Sequence, residues 1–238
     1  MKGPNFKKIE KIIGVQFKNI DLLKQALTHR SFLNEHPEWL DIGHNEKLEF
    51  LGDAVIGLIT AEYLYKKYPQ LQEGELTSLR AALINGNSLL EAAAETGIQD
   101  YLLVSKGEKK ELKKHQPYFL ANAIEALVGA IYLDQGYTEA EKFAKKYLLV
   151  KADKIFKTKS FRDPKSIFQE KSQEILSITP TYKLIKSWGP DHAKQFEIGV
   201  YLKDKLIAQG EGCSKQEAEV QAAEKALLKK EWQEKAKK

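Results

Sequence analysis

The chain has 238 residues, enough for one large domain or two modest ones. Its balance of 42% hydrophobic and 30% charged residues excludes wholesale disorder. The single cysteine, Cys213, excludes an intrachain disulfide and a Cys-based zinc site within one chain. No apolar run approaches the roughly 20 residues of a membrane helix, and the polar N-terminus lacks a signal-peptide core, so a cytoplasmic protein with no membrane association is expected. The net charge of +5 is unevenly spread: residues 1–150 hold 19 basic against 20 acidic side chains, residues 151–238 hold 19 against 13. A basic segment behind a near-neutral larger one fits a polyanion-binding module attached to something else.

From Phe6 to about Val150 the pattern is helical almost throughout. A long helix is predicted over about His44–Tyr68, stopped by Pro69. Further helices are predicted at Glu73–Ile84, at Asn87–Thr96 with Gly97 as C-cap, at Tyr118–Asp134 with Gly136 beyond it, and at Glu139–Leu149. The last of these opens on Thr138-Glu-Ala-Glu141, the pattern of a capping box. Residues 151–161 are lysine-rich with weak periodicity and read as a linker, or as a helix tail followed by one. The period then changes. Asp163-Pro164 opens a helix reaching about Leu176. Thr181–Trp188 and Gln195–Leu202 read as strands flanking the loop Gly189-Pro-Asp-His-Ala-Lys194. A third strand runs from Lys205 to about Glu211, and Ser214-Lys-Gln-Glu217 opens a final helix. The expected fold class is a mainly α N-terminal domain, residues 1–150, followed by a linker, 151–161, and a small α+β domain of order α-β-β-β-α, 162–232.

The long predicted helix carries Asn45-Glu-Lys-Leu-Glu-Phe-Leu-Gly-Asp-Ala-Val-Ile-Gly57. Its Glu46, Glu49 and Asp53 fall on one face at helical spacing, with no Lys or Arg between residues 48 and 65 to compensate them. Carboxylates that close repel one another and resist partial burial, so a divalent cation is the natural partner. The helix at 118–134 repeats the logic with Asn122 and Glu125, three residues apart in an apolar run. Facing each other, the two helices would gather three carboxylates and one amide oxygen, a donor set suited to Mg²⁺ or Mn²⁺. Spacing alone leaves open a set of surface charges that merely line a groove.

These residues also carry a family resemblance. NEKLEFLGDAVIG closely resembles the ribonuclease III motif, Ala26-Leu-Thr-His-Arg-Ser31 resembles that family's upstream segment, and 119–134 resembles its second acidic helix. The C-terminal unit, with its GPDHAK loop and Ser214-Lys-Gln-Glu-Ala218, is similar to a double-stranded-RNA-binding domain. The order over nearly the whole chain is that of bacterial ribonuclease III. The resemblance implies a homodimeric, Mg²⁺-dependent endonuclease that cuts double-stranded RNA, leaves 5′-phosphate and 3′-hydroxyl ends with short 3′ overhangs, and serves rRNA and mRNA processing. It casts Glu49, Asp53 and Glu125 as metal-binding or catalytic carboxylates, helped by Asn122. Glu46 and Glu73 become acids lining the cleft with less direct roles. Phe50 becomes an aromatic that plugs a socket on the partner subunit, against the alternative of an ordinary core residue. In the RNA-binding unit it casts Gln169 and Glu170 as contacts to one minor groove and His192 as the contact to the next. Lys194, Ser214 and Lys215 join this surface, with Lys215 meeting phosphate at a helix N-terminus. Gln216 stands where a second lysine is common in this domain class, which implies modest affinity.

Asn122 departs from the family pattern, which has Asp there. An amide oxygen still coordinates Mg²⁺ but brings no charge, implying weaker metal binding or a shifted metal preference. A tolerated variant, an engineered substitution and a chain that binds duplex RNA without cutting it all fit. The first is favoured because the other three acids remain. His29 and His44 are read as hydrogen-bonded structural histidines, since a metal-dependent hydrolysis requires no histidine base.

Overall fold

A computed structural model describes residues 4–112, 118–159, 161–190, 193–229 and 232. The chain divides into two compact units, residues 1–161 and 162–238.

The first unit is helical: α1 (Phe6–Ile13), α2 (Ile20–Ala26), α3 (Arg30–Leu33), α4 (Glu46–Lys67), α5 (Glu73–Leu83), α6 (Gly86–Thr96), α7 (Lys106–Leu112), α8 (Phe119–Gln135), α9 (Tyr137–Tyr147) and α10 (Ala152–Thr158). At its centre lies α8. Ala123, Ile124, Ala126, Leu127, Val128, Ala130 and Ile131 of this helix are all fully buried. Apolar residues around the whole circumference require packing on every side, and α2, α4, α6 and α9 provide it.

The helix pair α4/α8 sets the geometry of everything that follows. A Cβ at Gly52 would lie 1.7 Å from the Glu125 carbonyl oxygen, and one at Gly129 would lie 2.3 Å from the Leu48 carbonyl oxygen. The two backbones therefore touch at this crossing, a closeness that only residues without a side chain allow. The upstream Ala26–Ser31 segment holds the N-terminal end of α4. The Asn45 N–H donates to the Thr28 carbonyl at 2.9 Å, while Thr28 forms a parallel bridge with Leu103. Helix stops follow the sequence signals: Gly97 caps α6 at φ 61° and Gly136 follows α8 at φ 84°.

The predicted capping box at Thr138 does not form. Helix α9 starts at Tyr137, with only Gly136 between it and the end of α8, and with no side-chain cap. Thr138 therefore sits inside the first turn, and Glu141 pairs instead with Lys145 at 2.8 Å. Residues 152–158 are helical, and Ala152, Ile155, Phe156 and Phe161 join the core of this first unit.

The second unit runs α11 (Pro164–Leu176), β1 (Pro180–Trp188), β2 (Gln195–Leu202), β3 (Lys205–Gly212) and α12 (Lys215–Leu228). Its strands form an antiparallel sheet of order β1-β2-β3, with Leu184 to Lys186 bulged against β2. Asp163 caps α11 by accepting from the Lys165 and Ser166 N–H groups, and Ser214 caps α12 by accepting from the Glu217 N–H. Both helices cover one sheet face, burying Phe168, Val200, Leu202, Ala222 and Ala226. Here too a glycine fixes the distance: a Cβ at Gly210 would lie 2.2 Å from the Ala218 carbonyl oxygen.

Candidate active site and RNA-binding surface

The glycine crossing brings Glu49 and Asp53 of α4 against Glu125 of α8. They share an open cleft of about 530 Å³ walled by Glu46, Glu49, Phe50, Asp53, Ala54 and Glu125. Asn122 stands beside Glu49, off the cleft wall, where its amide favours the charged form of that carboxyl. Glu46 is the first residue of α4 and lies 3.6 Å from the Arg30 guanidinium and 3.9 Å from His44 Nδ1. Arg30 is the compensating cation that a scan of the acidic helix alone missed, because it comes from the upstream segment.

Among the described residues no cation pairs with Glu49, Asp53 or Glu125. The electrostatics record this. Glu125, the most deeply buried of the acids, is pushed up to about 7 by desolvation and then by the charges of Asp53 and Glu49. Glu49 is also raised, chiefly by burial, with the neighbouring Asn122 amide acting in the opposite sense and Glu46 and Asp53 adding to the rise.

This donor set fits a hydrated divalent cation. All donors are oxygens, their charge is uncompensated, and the cleft leaves room for water. Among the described residues no three His, Cys, Asp or Glu side chains are gathered closely enough to enclose an ion. That favours an ion held through few carboxylates, waters and substrate phosphate, as Mg²⁺ is commonly held, over an all-protein cage.

The raised Glu125 predicts a pH dependence of stability in metal-free protein. Its folded value lies above the ordinary 4.5, so the native state binds more protons than the unfolded one between about 4.5 and 7. Its contribution to stability is therefore full below 4.5 and is lost as pH rises through 7. Thermal unfolding in chelator should show Glu125→Gln gaining stability over the parent as pH is raised from 5 to 8. A constant difference across that range would contradict the assignment.

Not every predicted site residue lies here. Glu73 opens α5 and lines a different, largely apolar groove of about 360 Å³ with Leu58, Ala61, Tyr65, Leu76 and Arg80. The reason is length: some 14 helical residues, about 20 Å, separate Asp53 from the end of α4. Phe50 is 82% exposed, so the core reading fails. With Ala54, Leu58, Ala61 and Tyr65 it forms a stripe at helical spacing along α4, in which Leu58 and Tyr65 are 59% and 73% exposed. His29 is a structural residue as expected. Its Nδ1 bonds Ser31 Oγ at 2.8 Å and caps α3, its ring packs on Phe119 at 5.5 Å, and burial lowers its pKa.

In the second unit, Gln169 and Glu170 are exposed on α11, and Lys194, Ser214 and Lys215 are exposed. His192 lies outside the described residues. Gln195 Nε2 reaches Cys213 Sγ at 3.3 Å, which sets the start of β2 and the α12 N-terminus at one end of the sheet. Lys165 of α11 pairs with Glu219 of α12 at 2.5 Å, so these two helix starts also lie side by side. Gly189 shapes the loop at φ 89°, where a Cβ would lie 2.6 Å from the Ala193 carbonyl oxygen.

Comparisons with known proteins agree with this layout. Residues 19–152 match the family model described as ribonuclease-III-like, and 164–230 match the double-stranded RNA binding motif. The chain is 42% identical over 218 residues to Ribonuclease 3 of a Nitratiruptor species, covering 92% of this chain and 93% of that one. Against Ribonuclease 3 of Helicobacter pylori the identity is 40%, covering 93% and 90%. The crystal structure of the ribonuclease III nuclease domain from Campylobacter jejuni aligns at a TM-score of 0.55 and 39% identity, over 62% of this chain and 95% of that one. The chain therefore belongs to the ribonuclease III family, as a ribonuclease III-type endoribonuclease domain followed by a double-stranded RNA binding motif.

Proposed function

We propose that this chain hydrolyses phosphodiester bonds of double-stranded RNA by a divalent-metal mechanism, using Mg²⁺ or Mn²⁺. It leaves 5′-phosphate and 3′-hydroxyl ends with short 3′ overhangs, and matures ribosomal and messenger precursors in the cytoplasm. The observation that carries this reading is the set of uncompensated carboxylates on the α4/α8 crossing, with Glu125 pushed up to about 7. When bound, the metal supplies an acidified water and stabilises charge on the leaving oxygen. Glu49, Asp53 and Glu125 would hold it. Asn122 positions Glu49 through its amide and offers its remaining oxygen. Glu46, anchored by Arg30, orients a ligand or water at the rim.

The second unit would supply affinity. Gln169 and Glu170 meet one minor groove, the 189–194 loop with His192 and Lys194 the next, and Ser214 and Lys215 present an α12 N-terminus to phosphate. Binding should be strongly salt dependent. Raising salt from 50 to 200 mM is expected to weaken duplex binding by at least about tenfold, and Lys215→Ala should flatten the log–log slope by about 1. Affinity unchanged by salt would contradict a phosphate-led interface.

We read the exposed α4 stripe as a homodimer face. A second copy whose Phe50 enters the groove beside Leu58 and Leu76 would bring its cleft next to Glu73 of the first. The ribonuclease III nuclease domain from Campylobacter jejuni has been described with a flexible region involved in dimer formation, which supports this reading. No helix among the described residues is long and apolar enough to cross a membrane.

Incubation with a long labelled RNA duplex and with its separated strand tests the proposal. Cutting of the duplex alone, abolished by chelator, is expected. A non-catalytic duplex binder, kept in view by Asn122, is not favoured: three acids of the site remain, and the similarity to ribonuclease 3 proteins spans nearly the whole chain.

A further inference from the structure

A third concavity, of about 350 Å³, lies in the first unit away from the acid cleft. Its wall includes Phe32, His36, Trp39, Asp100, Lys106 and Lys109. None of these residues enters the reading above. That volume is within the usual range for small-ligand sites.

The lining sorts by chemistry. Phe32 and Trp39 meet edge-on at 5.6 Å and 86°, making an aromatic corner, and His36 stacks on Phe32 at 4.1 Å. Two further acids on the wall are already engaged. Glu38 pairs with His36 at 3.0 Å, and Glu35 accepts from the Lys106 N–H at 3.2 Å. Three charged side chains stay unpaired among the described residues: the carboxylate of Asp100 and the ammonium groups of Lys106 and Lys109. The two lysines are three residues apart on α7, hence on one side of it.

A complementary ligand has a flat ring for the aromatic corner, an N–H donor for Asp100 and an anion for the two lysines. We propose that this cavity binds a nucleotide, its base against Trp39 and Phe32 and its phosphate on Lys106 and Lys109. Base–aromatic stacking is tolerant of base identity, while a carboxylate acceptor favours bases whose pairing edge donates, guanine foremost. The nucleotide comes either free from solution or as an unpaired residue of an RNA strand. Both offer the same ring and phosphate.

Calorimetric titration of the full chain with guanosine, adenosine, cytidine and uridine 5′-monophosphates, in chelator, tests this without engaging the metal-dependent cleft. Saturable one-site binding with guanosine monophosphate tightest is expected. Asp100→Asn should weaken it by about tenfold or more, and the paired change Lys106→Glu with Lys109→Glu should abolish it. These substitutions lie at exposed or polar wall positions, and circular dichroism confirms that the variants fold. A second arm compares a blunt duplex with the same duplex carrying unpaired 3′ nucleotides. If Asp100→Asn weakens only the tailed duplex, the ligand is a nucleotide of RNA; if it weakens neither, the ligand is free nucleotide. No saturable heat with any mononucleotide, or binding unchanged in both variants, overturns the proposal and leaves the duplex-cutting reading untouched.

Discussion

Replacing Glu125 with Gln is expected to lower the rate of duplex RNA cutting by about a thousandfold or more while duplex affinity stays within about twofold. The change keeps shape and removes one of three charges that face one another with no cation between them. On the proposed reading Glu125 is the charged group that α8 would offer a divalent cation, so its loss would weaken the stabilisation that cation would supply to water and leaving oxygen. Affinity should persist because the proposed duplex contacts lie in the second unit. The same variant should be more stable than the parent in chelator at pH 8, since it no longer holds a half-buried carboxylate against Asp53 and Glu49. Cutting assays, gel-shift titrations and thermal melts separate the three expectations. Near-parental cutting by the variant would remove Glu125 from the machinery.

The second large effect belongs to a residue with no chemistry of its own. Gly52→Ala places a methyl group 1.7 Å from the Glu125 carbonyl oxygen and 3.0 Å from the Gly129 nitrogen. Neither neighbour is a flexible side-chain end, so α4 and α8 must move apart. The expected cost is about 3 kcal/mol, a fall in Tm of roughly 6–12 °C. Separation also shifts Glu49 and Asp53 relative to Glu125, so cutting should fall even at temperatures where the variant stays folded. Gly57, five residues along the same helix, has nothing within 4 Å of a Cβ and serves as the control. Gly57→Ala should melt at or above the parent temperature, through its helix propensity. Equal melting of the two variants would refute the close crossing.

The contrast between these glycines explains what the sequence reveals and what it hides. The acids of α4 were legible because carboxylates are out of place in an apolar helical run, and helical spacing put them on one face. Helix ends at Pro69, Gly97, Asp163 and Ser214 were legible because their causes are local. The backbone contact at Gly52 was not, since it depends on which helix lies opposite. Arg30 was likewise invisible as the partner of Glu46, because the pairing crosses from one segment to another. The failed cap at Thr138 has the same origin: the direct passage from α8 into α9 through Gly136 overrides a local pattern. Glu73 shows a different limit. Its position in the sequence motif says nothing of the roughly 20 Å of helix that carries it away from the acid cleft within one chain. Asn122 is legible as the departure from the family pattern, but its place beside Glu49 depends on how the two helices pack.

Residue 122 offers the most direct test of the acid cleft, which is the rate of cutting of a long RNA duplex as a function of Mg²⁺ and Mn²⁺ concentration for this chain and for Asn122→Asp. An aspartate at 122 replaces a neutral amide beside Glu49 with a charge, so a divalent ion should be bound more tightly. This chain is expected to cut, the variant to reach half its maximal rate at lower metal concentration, and both to require metal. If neither cuts at any concentration of either ion while both bind the duplex, the acid cleft on α4 and α8 is not a working phosphodiesterase centre.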